Sequence, residues 1–129
     1  MEKELTPRQE EIKDKFINLR GYWKEAAFGD LLRMDPDYFE AYMNFSSKPW
    51  IKGVLAPKIK ELIYIAIDTS CTHLHAKGTR VHIKNALKYG ATKEEIMEVF
   101  ELVSILGIHS VTMGLPILVE ELKELNQEI

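Results

Sequence analysis

Three short strings punctuate this chain and commit it to helices. Thr6-Pro7-Arg8-Gln9 places a capping threonine before a proline at the first helical position, with a glutamine able to reach back. Asp35-Pro36-Asp37 repeats that logic, and Thr92-Lys93-Glu94-Glu95 forms a second capping box. A helix start leaves backbone N–H groups without partners, and these side chains satisfy them. Apolar residues follow each signal at helical spacing. Ile12, Phe16, Leu19 and Trp23 form one stripe, and Ile96, Val99, Phe100 and Val103 another. Gly21 and Gly29 punctuate the first region, which reads as one bent helix or two. Tyr38, Phe39, Tyr42, Met43 and Phe45 fill the second, which ends at Ser46-Ser47-Lys48-Pro49 and leads into a loop.

Pro57 opens the next helix, and Thr79 is the expected N-cap of one that Gly90 closes. Gly107-Ile108-His109-Ser110 breaks or bends the helix after Thr92. A last helix is expected from about Val111, with Pro116 near its start. No strand-period alternation and no repeat is present. The reading is all-α, with about six helices.

The helix over residues 57–70 differs from the others. Leu62, Ile63, Ile65, Ala66 and Ile67 are nearly continuous, as in a helix buried centrally or at a subunit contact. Glu61 and Asp68 are its unusual members, seven residues apart and therefore on one face.

A chain of 129 residues supplies about one domain, read here as 1–129. Its net charge of −3, with Lys and Arg interleaved with Glu, argues against a nucleic-acid partner. The polar start MEKELTPRQEEIKDK is no secretory signal. No apolar run approaches the roughly 20 residues that cross a bilayer, so no membrane partner and a cytoplasmic location are expected. The single Cys71 excludes an internal disulfide.

Groups able to do chemistry concentrate in residues 61–91, which hold Cys71 and three of the four histidines. Cys71 is either a small buried hydrophobe or a thiolate nucleophile favoured by His73, His75 and His82 nearby. His82, placed in the first turn after Thr79, leans toward neutral imidazole because the helix dipole opposes a cation there. It is a base or ligand candidate, or a histidine bonded across a helix interface. Glu61 in an apolar helix is either a proton relay or one half of a salt bridge, for example to Arg80 or to another chain. His73 and His75 alternate along an expected loop and so point differently, and His109 reads as structural. No cofactor is expected. A metal, if bound, would take Cys71, His73, His75 and His82.

The string IKELIYIAIDTS at 59–70, Cys71, HIKNALKYGATKEEI from His82 and Gly107-Ile-His together resemble the carboxymuconolactone decarboxylase-like family. That family includes the alkylhydroperoxidase D-like proteins. The resemblance runs over about 35–121, leaving 1–34 as an N-terminal helical extension. It implies an orthogonal helical bundle assembled as a homo-oligomer, trimer or hexamer, acting on a small-molecule substrate.

Two chemistries follow from it. One is decarboxylation of a lactone acid by histidine-centred acid–base work, with Arg80 as carboxylate clamp and His75 as a further substrate contact. The other is thiol peroxidase or reductase chemistry using Glu61, Cys71 and His82. The two-cysteine members carry a second cysteine where Leu74 stands here, and their segment before the histidine is shorter. A sulfenic acid at Cys71 would therefore need an external thiol. The third alternative is a non-catalytic protein that binds a metal or small ligand at the same residues.

Overall fold

The computed structural model describes residues 4–128. Helices are the regular structure among them, and they pack as two compact units, the first ending at Pro57 and the second beginning at Lys58.

In the first unit, α1 (Pro7–Arg20) begins with the expected capping box, Thr6 and Gln9 bonding to each other's backbone N–H. It stops earlier than the apolar stripe suggested. Gly21 takes φ 74° as its left-handed C-cap, a conformation with little cost for glycine. Trp23 therefore reaches the core from beyond the helix, and a π-helical turn (Glu25–Gly29) leads into α2 (Asp30–Met34). Phe16, fully buried, is the centre of an aromatic core. Tyr22, Trp23, Phe28 and Phe39 place their rings 5.1–5.9 Å from it, mostly edge to face, the arrangement that ring quadrupoles favour. Asp35 caps α3 (Pro36–Ser46) through the Tyr38 N–H. A short α4 (Lys48–Lys52) replaces the expected loop, because Pro49 falls in its first turn, where no N–H is needed.

The second unit contains α5 (Pro57–Thr69), α6 (Ala76–Lys88), α7 (Lys93–Ser104) and α8 (His109–Glu124). Its buried core is small: Ile65, Ala86, Ala91 and Ile96, flanked by Leu62, Ile83, Val99 and Phe100. Helix α5 is two-faced rather than buried all round, with the two acids on one face as their spacing requires. Its acidic residues Glu61 and Asp68 are buried with Ile65, while Ile59, Ile63 and Ile67 are exposed.

Helix α6 starts at Ala76 rather than after Thr79. The Thr79 hydroxyl instead donates back to the His75 carbonyl, one turn earlier. His82 thus lies in the second turn, where the dipole argument for it no longer applies. The Thr92 capping box opens α7 as expected, and Lys58 bonds Glu95 at 2.8 Å. A 3₁₀ turn (Ile105–Ile108) links α7 to α8, which holds Pro116 in its interior and buries none of its residues.

The expectation that no apolar run reaches bilayer length is corrected here. Glu98 and Glu101 interrupt the early part of this region, but the helical run Lys93–Glu124 contains an 18-residue window of mean hydropathy 2.0, none of it buried. By length and composition alone it could cross a membrane.

Candidate active site

The site is built by two helices with the same spacing rule. Steps of four and three residues put Glu61, Ile65 and Asp68 on the inward face of α5, and Gly78, His82 and Asn85 on that of α6. Glu61, early in α5, meets His82 and Asn85, while Asp68, late in α5, meets Gly78, early in α6. The two helices are therefore antiparallel neighbours.

Glu61 is fully buried. Its Oε2 lies 2.6 Å from His82 Nδ1, and its Oε1 accepts from Asn85 Nδ2 at 3.3 Å. An ionised Glu61 can only accept, and in that state Nδ1 of His82 is the donor, with Nε2 on the other side of the ring. There Asp68 Oδ2 stands 3.9 Å away, beyond direct hydrogen bonding but within bridging distance of one small group. Tyr64 stacks on the imidazole with centroids 4.6 Å apart and fixes its plane. Burial in a water-poor pocket strengthens each of these contacts. The salt bridge between Glu61 and Arg80 considered from the sequence is not formed, and Arg80 is exposed.

Asp68 is the hub of the next layer. Its Oδ1 is 3.4 Å from His73 Nε2 and 3.7 Å from His75 Nδ1, and its backbone carbonyl accepts from the His75 N–H at 2.7 Å. The two histidines do not point differently: both rings converge on one carboxylate oxygen. Leu74 between them takes φ 44°, the left-handed region, which folds the turn back toward Asp68.

Gly78 makes the approach of α6 possible. A Cβ there would overlap Asp68 Oδ2 and come within 2.5 Å of His75 Nδ1. Cys71 is exposed in the turn after α5, and no hydrogen bond joins it to Glu61 or His82. The donors that gather here are thus Asp68, His73 and His75, with Cys71 outside the group. His109 is exposed at the start of α8.

A cavity of about 770 Å³ opens beside Asp68. Thr69, Leu74, Thr79, Ile83 and Leu87 line it, with the cations Arg80 and Lys84 on its wall. Asp68, Tyr64, Asn85, Gly78 and Lys84 were absent from the sequence-derived set of site residues. A signal existed for Asp68, which shares a face with Glu61. For the others, only the pairing of α5 with α6 reveals a role.

Fold and site together define an all-α protein with a buried carboxylate–histidine–carboxylate array beside an apolar, cation-walled cavity. The model of the carboxymuconolactone decarboxylase family matches residues 36–108, and the chain belongs to that family. It is also similar, at 50% identity and a TM-score of 0.92, to the crystal structure of "a putative gamma-carboxymuconolactone decarboxylase subunit" from Burkholderia xenovorans LB400. The similarity covers 96% of this chain and 49% of that one, so this chain spans about half the length of that relative. No curated protein matches it.

Proposed function

We propose that this chain is an enzyme performing acid–base chemistry on a small carboxylic or lactone acid, with decarboxylation as the reaction. The observation that carries the reading is the array Glu61–His82–Asp68, whose outer member lines a cavity walled by Arg80 and Lys84. Decarboxylation breaks a C–C bond, releases CO2 and leaves its electron pair on a carbon conjugated with a carbonyl. That carbon must then take a proton. In this reading Arg80 and Lys84 hold carboxylate groups of the acid, Arg80 offering a bidentate contact. His82 gives the proton from Nε2 while in its imidazolium form and is left as the neutral Nδ1–H tautomer, which Glu61 holds in place.

The direct test follows CO2 release from a lactone acid. Replacing His82 by Ala should lower kcat by about 10²–10⁴, the range for a positioned general acid. Arg80→Ala should chiefly raise KM. Full activity in His82→Ala would sink the assignment.

The exposure of Cys71 favours a second reading, a one-cysteine thiol peroxidase. Stoichiometric peroxide followed by dimedone should then label Cys71 rapidly, and slow labelling would eliminate it.

Assembly into a homo-oligomer forms part of the same proposal. Val111, Met113, Leu115, Ile117 and Leu118 of α8 are each more than half exposed, and soluble chains cover such faces with protein. Sizing chromatography should show a trimer or hexamer. A monomer, or protein that partitions with lipid vesicles, would contradict it.

A further inference from the structure

We propose that Asp68, His73 and His75 form a binding site for a late first-row divalent cation, at the mouth of the cavity and distinct from the Glu61–His82 bond. Each residue offers one donor atom, and the three donors lie within 4.8 Å of one another. Zinc bonds of ~2.0–2.1 Å at tetrahedral angles require donors roughly 3.3 Å apart. Asp68 Oδ1 already stands 3.4 Å from His73 Nε2 and 3.7 Å from His75 Nδ1. Only small side-chain rotations separate this arrangement from a coordination shell.

Three further features favour ligation over a chance cluster. The positive φ of Leu74 is an unfavourable conformation for a leucine, and it brings His73 and His75 onto the same oxygen. Gly78 leaves out the one side-chain atom that would collide with both Asp68 and His75. The backbone bond from His75 N–H to the Asp68 carbonyl ties the ligand-bearing turn to the end of α5.

Two imidazoles and one carboxylate suit zinc, iron, cobalt or nickel and disfavour magnesium, which prefers oxygen donors. Three protein ligands leave coordination positions for water or a substrate oxygen. Asp68 and Leu74 line the cavity, so those positions adjoin it. The donor set excludes Cys71, and it stands whether or not the decarboxylase reading holds.

The test is a titration of EDTA-treated protein with Zn2+ against a chromophoric chelator, repeated with Co2+ in the visible region. One ion per chain should bind saturably, with Co2+ d–d bands and no thiolate charge-transfer band. His73→Ala and His75→Ala should each weaken Zn2+ binding by more than ~10-fold. Cys71→Ser should leave it unchanged, and Mg2+ should not compete. His73 and His75 are about half exposed, so their variants should fold, which an unchanged Tm in EDTA would verify. Absence of saturable binding, or binding that survives the double histidine variant, would overturn the proposal. So would binding lost in Cys71→Ser.

Discussion

Replacing His82 by Leu tests the site and the stability of the second unit in one experiment. Glu61 is fully buried, and the substitution removes its 2.6 Å partner, leaving only the 3.3 Å bond from Asn85. Leaving a buried carboxylate without its nearest hydrogen-bond partner costs about 3–5 kcal/mol. The remaining Asn85 bond returns part of this, so about 3 kcal/mol of destabilisation is expected. Glu61→Leu should cost less, roughly 1–2 kcal/mol, because His82 still faces Asp68 and stacks on Tyr64.

The double variant places two apolar side chains against each other. It should lie within about 1 kcal/mol of the parent, since replacing both partners of a buried pair is often neutral. The single costs sum to about 4–5 kcal/mol, so the cycle predicts a coupling of about 3–5 kcal/mol. Urea unfolding followed by far-UV circular dichroism is the appropriate assay. Trp23 and Trp50 both precede Lys58, so tryptophan fluorescence would report on the first unit. Additive effects of the two substitutions, or a His82→Leu cost below ~0.5 kcal/mol, would refute the argument that this pair is energetically coupled.

Gly78→Ala should destabilise by about 1–3 kcal/mol through overpacking against Asp68, although helix propensity alone favours alanine by about 1 kcal/mol. Thermal melting decides between them, and a raised Tm would mean that Asp68 yields easily. At Leu74, glycine should fall within about 0.5 kcal/mol of the parent, because relief of the positive φ offsets its greater unfolded-state entropy. Valine should be clearly worse there, and equal chevron or urea midpoints for the two would contradict the strain argument.

Glu95 titrates below the ordinary carboxylate range, chiefly through its bond from Lys58 and then through the Thr92 N–H. Its folded pKa lies below its unfolded value. Its contribution is thus full above the unfolded pKa and disappears as pH falls through the folded one. Glu95→Gln keeps the reach to Thr92 but should flatten that part of the acid-side stability profile. An unaltered profile would show that Glu95 is uncoupled from folding.

Much of the helical framework was legible from local chemistry. Thr6, Asp35 and Thr92 cap where their hydroxyl or carboxylate oxygens can meet N–H groups two or three residues on, a distance set by the chain itself. Where tertiary contacts compete, local reading failed. Thr79 satisfies the helix criterion as a cap, yet the turn held by His75 and Asp68 starts α6 four residues earlier. Cys71 attracted notice because of its neighbours in sequence, but in the structure it is exposed and bonds neither Glu61 nor His82.

The periodicity of α5 shows the same limit from the other side. Its spacing placed Glu61 and Asp68 on one face, as the structure has them. Composition alone could not say that this face turns inward and the isoleucine face outward. That choice belongs to the pairing with α6. His82 and Asn85 give Glu61 its hydrogen bonds, and Gly78 leaves room for Asp68. Capping and helical period act within a few residues, so the sequence by itself determined that the chain is helical and where most helices begin. A buried carboxylate needs partners from another helix, so only the tertiary structure decided which reactive side chains form a site.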